Sequence, residues 1–238
     1  MPNEYFQFKQ FRIEQDKCSM KVCTDSCVFG AWIASGIESK SPQKILDIGT
    51  GTGLLSLMLA QKTSAIIHAI DIDDDAKVQA WENFNASPWN NRLQVFCGHI
   101  KKWHAASRYD YIISNPPFFE NDLVPQDAGK KNSKHSNSLH LNELIVAVEG
   151  LLAKDGCFAV LLPHSRQEYF EKEAASHSLF VVEKLHIRQS IKHNYFRTIL
   201  ILEKTQHPVK QSELSIRNNS NEYTSEFISL MKDYYLYL

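Results

Sequence analysis

The sequence predicts an α/β fold built on a doubly wound, mostly parallel sheet, and three observations carry that reading. Apolar runs of strand length alternate with helical runs along most of the chain, the pattern that successive βαβ units leave. A short apolar strand near residue 44 runs into glycines at 49, 51 and 53 and then into a helical run over 54–61. Asn115-Pro116-Pro117-Phe118 follows directly on the apolar run 109–113, at the carboxyl end of a buried strand, where open α/β sheets place their chemistry.

Taken in order, residues 5–15 alternate aromatic and polar side chains (Tyr5, Phe6, Phe8, Phe11, Ile13) and read as two short strands ahead of the main sheet. Thr24-Asp25-Ser26 reads as a cap for a helix over 28–37, with Phe29, Trp32 and Ile33 on one face. A polar loop with Pro42 precedes the first core strand. The second strand, 65–70, ends in Asp71, and Asp73-Asp74-Asp75 suits the first turn of a helix reaching Phe84. Strand 93–97 leads into Gly98-His99-Ile100. The stretch 119–140 is rich in Asn, Ser, Lys and Gly, has no period, and reads as a substrate-facing loop. Helix 141–152, a turn at Lys154-Asp155-Gly156 and strand 157–162 resume the alternation, and Ser165 caps another helix. Segments 180–187 and 198–203 read as closing strands paired antiparallel across a basic loop, 188–197. Phe227, Leu230, Met231 and Tyr234, at spacings of three and four, mark a terminal amphipathic helix packed on the rest. We expect one domain, 1–238: an N-terminal extension (1–40), a core (41–210) and a tail (211–238).

Composition agrees with an ordinary globular protein, at 43% hydrophobic and 22% charged residues over 238. No run approaches the roughly 20 apolar residues of a membrane span, and Met1-Pro2-Asn3-Glu4 lacks the features of a signal peptide, so we expect no membrane partner and a cytoplasmic location. The five cysteines form no Cys-x-x-Cys pair and read as reduced thiols; no metal is expected. The net charge of −1 is low for a nucleic-acid enzyme, but two stretches are basic without one acid: 128–142, with Lys130, Lys131, Lys134 and His135, and 184–202, with Arg188, Lys192 and Arg197. These are the candidate contacts to substrate phosphate.

Two prolines after an asparagine make a stiff, extended turn without backbone donors, leaving carbonyl oxygens and the Asn115 side chain as outward polar groups. Such a turn accepts hydrogen bonds from an NH2 group, and Phe118 offers a flat face to the planar system carrying it. The glycine run is not the dinucleotide fingerprint, because Leu54 stands where the third glycine belongs. Asp47 before it would repel a pyrophosphate and attract a ligand with a cationic amino group, and Asp71 is placed for ribose hydroxyls.

Together, the glycine loop from Asp47 to Gly53, the acid Asp71 and the Asn115-to-Phe118 turn resemble the class I S-adenosylmethionine-dependent methyltransferases. The opening Phe6-Gln7-Phe8-Lys9-Gln10-Phe11-Arg12-Ile13 and its continuation to Ser26 resemble the bacterial tRNA-Val adenine-N6 methyltransferases. The resemblance implies a Rossmann-like, seven-stranded sheet and methyl transfer from S-adenosyl-L-methionine to an adenine amino group of tRNA, at position 37 of the anticodon loop, by a monomer. It implies a cofactor site of Thr24, Asp47, Gly49, Thr50, Gly51, Gly53, Asp71, Ile72, His99 and Asn115, with Lys21 beside it, and a catalytic turn of Asn115, Pro116, Pro117 and Phe118. Two positions depart from the family. His99 replaces the usual aspartate, so a neutral ring nitrogen would have to accept from the cofactor's adenine amino group. Lys134-His135 replaces an Arg-His pair, losing the planar fork of donors.

Three other readings stay open at the level of sequence. Protein glutamine methylation uses the same amide geometry, but such enzymes carry tyrosine where Phe118 stands, after a helical domain. An rRNA guanine-amino methyltransferase would use the same turn. A non-catalytic cofactor-binding RNA partner would keep the glycines but need not keep Asn115.

Overall fold

The protein is described by a computed structural model covering residues 3–18, 20–117 and 141–238. Phe118 and the whole of the expected loop 119–140, with Lys130, Lys131, Lys134 and His135, lie outside the described residues.

The chain opens with an antiparallel hairpin, β1 (Tyr5–Gln7) and β2 (Arg12–Glu14), followed by helix α1 (Thr24–Lys40). The core then runs β3 (Lys44–Ile48), α2 (Leu54–Ala60), β4 (Ile66–Asp71), α3 (Asp74–Asn85), β5 (Leu93–Cys97) and β6 (Tyr109–Ser114). It continues through α4 (Leu141–Leu151), β7 (Leu152–Pro163), α5 (Gln167–Ser176), β8 (Phe180–Ser190), β9 (Tyr195–Glu203), β10 (Lys210–Arg217) and α6 (Ser225–Met231). The main sheet has the order β10-β8-β9-β7-β6-β3-β4-β5, and every neighbouring pair is parallel except the two that β9 makes with β7 and β8.

Why the strands are apolar on both sides is clear from β7. Cys157, Ala159 and Leu161 face the layer formed by α1, α2, α3, α6 and the hairpin, while Phe158, Val160 and Leu162 face α4 and α5. Covering both faces is the condition under which a parallel sheet is stable. The doubly wound class therefore holds.

Several local expectations need correcting. An eighth strand, β10, joins the sheet where the tail was expected; only Leu214 and Ile216 of its residues are buried, so its sequence has no apolar run to announce it. Lys154–Gly156 is not a turn between elements but part of β7, where the pairing with β6 slips between Tyr109 and Tyr111. Cys23, not the Thr24–Ser26 triplet, is the N-cap of α1, and Ser165 lies in a 3-10 turn (His164–Arg166) ahead of α5 rather than capping it. The Asp73 cap is as expected, its carboxylate accepting the Asp75 N–H at 2.9 Å. At the other end, α6 packs on α1, and the Tyr234 hydroxyl donates to the Met58 carbonyl of α2 at 3.1 Å.

Candidate active site

The pairing register sets which residues share one edge of the sheet. Ile48 of β3 lies beside Ser114 of β6 on one side and Ile70 of β4 on the other, and Asp71 pairs with Cys97 of β5. The next residues along these strands are Gly49, Asn115 and Gly98, so the glycine loop, Asp71, His99 and the Asn-Pro-Pro turn emerge together at the carboxyl edge. At an interstrand spacing of about 4.8 Å, the Asp71 and Asn115 backbones are about 10 Å apart.

The glycine loop is held from both sides. Gly49 and Thr50 donate backbone N–H bonds to the Ile70 carbonyl at 2.8 and 3.2 Å, and the buried Ser114 hydroxyl donates to the Ile48 carbonyl at 2.9 Å. Gly53 has φ +82°, and a Cβ there would sit 2.5 Å from Cε1 of Phe84, so only glycine lets α2 start this close to α3. Above Gly49 and Gly51 there is open space, leaving the loop backbone approachable.

Asp47 lies beneath this loop with no exposed surface. Its Oδ2 accepts from the Thr50 and Ser56 hydroxyls, both at 2.7 Å, while Oδ1 is buried without a partner. Burial pushes its carboxyl up to about 6, the two hydroxyl bonds opposing the shift. Asp71 accepts the Gly51 N–H at 2.8 Å and the Asp73 N–H at 3.1 Å, which occupies two of its roughly four acceptor sites. Ile72 beside it is exposed.

Asn115 is held by a residue the sequence did not bring forward. Its Nδ2 donates to the Ser26 hydroxyl at 2.9 Å, in the first turn of α1, while its Oδ1 is buried and unpartnered. Sequence reading had flagged Ser26 only as part of a cap, and nothing in a string places it against a residue 89 positions away. Pro116 is buried, Pro117 is half-buried, and Thr24 is exposed at the start of α1.

Two expectations change on inspection of hydrogen bonds. His99 Nδ1 accepts the Lys101 N–H at 3.2 Å. A neutral imidazole has one acceptor nitrogen, so Nε2 then carries the proton and is a donor, not the acceptor expected for the cofactor's adenine amino group. The basic stretch 184–202 is not a bare positive face either. Lys184 pairs with Glu171, Arg188 with Glu213 at 3.2 Å, and Arg197 with Asp25 at 2.8 Å, acids supplied by α5, β10 and α1 that a local charge count cannot see. Lys192 is exposed.

No group of three or more metal-ligating side chains occurs among the described residues, and none of their helices is long and apolar enough to cross a membrane. A cleft of about 680 Å³, lined by Trp32, Glu183, His207 and Lys210 among others, lies at the opposite edge of the sheet from the glycine loop and Asn115.

Residues 27–158 match the family model described as the methyltransferase small domain. Across 99% of both chains, the protein is 40% identical to the tRNA1(Val) (adenine(37)-N6)-methyltransferase of Trichodesmium erythraeum. The chain belongs to this methyltransferase family. The relative of the same name in Cytophaga hutchinsonii is also 40% identical, over the whole of both chains, and that of Tolumonas auensis is 37% identical over 99% of this chain and 98% of its own. Among solved structures, an S-adenosylmethionine-dependent methyltransferase from Clostridium acetobutylicum superposes with a TM-score of 0.56 at 14% identity, over 76% of this chain and 92% of its own. A protein of Agrobacterium tumefaciens described as a predicted O-methyltransferase reaches 0.68 at 12% identity, over 88% of this chain and 96% of its own. At such identities the structures speak for the fold alone.

Proposed function

We propose that this methyltransferase transfers the methyl group of S-adenosyl-L-methionine to the exocyclic N6 of adenine 37 in the anticodon loop of tRNA-Val. The observation that carries the reading is the buried, unpartnered Oδ1 of Asn115 at the carboxyl edge of the sheet, an acceptor fixed from behind by Ser26. The names of the full-length relatives point to the same substrate.

The cofactor fits the residues present. Open space above Gly49 and Gly51 admits a ligand against the loop backbone, the orphaned Oδ1 of Asp47 suits a cationic amino group, and Asp71 keeps acceptor sites for ribose hydroxyls. Exposed Ile72 offers the adenine ring an apolar surface, and His99 Nε2–H a donor. Thr24 and Lys21 are the further residues proposed to border the cofactor. When bound, S-adenosyl-L-methionine supplies an electrophilic methyl on a sulfonium.

An exocyclic adenine nitrogen shares its lone pair with the ring and is a poor nucleophile while planar. Asn115 Oδ1 and the Pro116 carbonyl accept its two N–H groups, favouring a tetrahedral nitrogen and stabilising the positive charge that develops there. Pro116 and Pro117 contribute no backbone donor that would compete. No strong base is required, because the methylated nitrogen is acidic enough to lose its proton. Positioning nitrogen, methyl and sulfur in line supplies much of the remaining acceleration, up to about 7–11 kcal/mol in favourable cases. Phe118 stacks on the extruded base, which leaves a loop at lower cost than a duplex. Lys130, Lys131, Lys134, His135 and Lys192 are the proposed phosphate contacts, with Arg188 and Arg197 contributing once their acids are displaced. On this reading the enzyme acts as a monomer in the cytoplasm with its tRNA.

The test is methylation of tRNA-Val transcripts carrying adenine or guanine at position 37, with bulk rRNA and a protein extract as parallel acceptors. Label in the adenine transcript alone supports the assignment. Equal label in both overturns the position, and label only in rRNA or protein overturns the substrate.

A further inference from the structure

Helix α3 buries two polar side chains one turn apart, Gln79 with no exposed surface and Asn83 at 2%, on a face where a helix ordinarily places apolar residues. Both point at backbone. Asn83 Oδ1 accepts the Glu14 N–H at 2.9 Å, and its Nδ2 donates to the Glu14 carbonyl at 2.9 Å and to the Thr52 carbonyl at 2.8 Å. Gln79 Oε1 accepts the Lys17 N–H at 2.9 Å, and Glu82, between them, pairs with the Lys17 ammonium. The strap 14–18 that leaves the hairpin is therefore tied to α3 by three side chains. It runs beside the cofactor rim, since Asp71 and Asp73 both act on the Cys18 thiol, whose burial pushes it up to about 12.

Of the three, only Asn83 reaches the glycine loop. Its amide orientation is dictated by its partners, because an N–H faces Oδ1 and two carbonyls face Nδ2. Next to it, Phe84 fills the space that a side chain at Gly53 would need. Thr52 precedes that glycine, so Asn83 and Phe84 together fix both the height and the direction of the loop where it turns into α2.

We propose that Asn83 is a positioning residue for cofactor binding, setting the glycine loop and the N-terminal strap in register across the S-adenosyl-L-methionine cleft, whereas Gln79 secures the strap alone. This rests on the cofactor reading given above. The Asn83 amide is taken up by the Glu14 and Thr52 backbone, so it acts on affinity rather than on the methyl-transfer step.

The experiment measures S-adenosyl-L-methionine affinity by calorimetry, Tm, and kcat at saturating cofactor for the full-length protein and the variants Asn83→Asp and Gln79→Ala. Asn83→Asp keeps the acceptor for Glu14 N–H but loses both donations. We expect its Kd to rise about tenfold, because the two donations that hold the Thr52 and Glu14 carbonyls are lost, with kcat within twofold of the parent. Gln79→Ala is expected to lower Tm comparably while leaving Kd within twofold. An unchanged Kd in Asn83→Asp, or an equal rise in both variants, overturns the proposal by showing either no role or general loosening. Failure of the parent protein to bind the cofactor would instead sink the reading on which it rests.

Discussion

Asn115 is expensive to bury with one oxygen unpartnered, a loss of about 1–3 kcal/mol for such a group. The arrangement is explained if that oxygen is reserved for the substrate amine, and it makes Ser26 more than a helix residue. Ser26→Ala releases Nδ2 and lets the amide rotate, and we expect kcat to fall about tenfold, the equivalent of one hydrogen bond of about 1.4 kcal/mol, with cofactor affinity unchanged. Steady-state kinetics with calorimetric Kd values check this, and a parallel loss of affinity would mean that α1 itself had shifted. Asp47 gives a second prediction at this scale, with opposite signs for stability and binding. Its carboxyl is raised from 3.8 to about 6 by burial, so between these values the folded state holds a proton that the unfolded chain has released. Its contribution to stability is fully present below about 3.8 and is lost as pH rises to about 6, a cost of about 3 kcal/mol at neutral pH. A cationic ligand group prefers the ionised form, so cofactor affinity should fall as pH drops below about 6 and should lose that dependence in Asp47→Asn. Calorimetric titration of parent and variant between pH 5 and 8 reads both curves.

At the scale of elements, the strands in the middle of the parallel core were legible because both their faces are buried and their residues are mainly apolar, as in β3 and β6. The β10 strand was not, since an edge strand with two buried side chains carries no run to detect. The same edge explains why the basic stretch was misread. Glu213 on β10 meets Arg188 across a parallel pairing, and only the strand's placement reveals it. Hence Glu213→Gln should free Arg188 and tighten tRNA binding, with a steeper dependence on salt; binding isotherms at several salt concentrations show whether it does. The glycine loop was legible as a motif, though not the reason for its third glycine. Gly53→Ala combines a positive φ with a clash against Phe84, and we expect a loss of about 2–3 kcal/mol and a Tm lower by about 5–10 °C. An unaltered melting curve would show that Phe84 moves aside freely.

For the whole molecule, the hairpin, α1, α2, α6 and one face of the sheet share a continuous cluster that includes Phe8, Phe29, Met58, Phe227 and Tyr234. We propose from this that the chain unfolds as one unit, the N-terminal extension and the tail melting with the core. A single calorimetric transition is the expected result, and a separate early transition for the ends would contradict it. The site belongs to this scale as well, because it is assembled from the hairpin strap, α1, the glycine loop and the end of β6. Sequence motifs located Asp47, Asp71 and Asn115, each at the end of a recognisable strand. They did not locate Ser26 or Asn83, whose partners lie 31 to 89 residues away and are chosen by packing. The most direct test of the central claim is nucleoside analysis of tRNA incubated with labelled S-adenosyl-L-methionine and either the parent protein or Asn115→Ala, with cofactor Kd measured for both. The account predicts N6-methyladenosine from the parent, at least a hundredfold less from the variant, and equal affinities. Full methylation by Asn115→Ala, or a different methylated nucleoside from the parent, would contradict it.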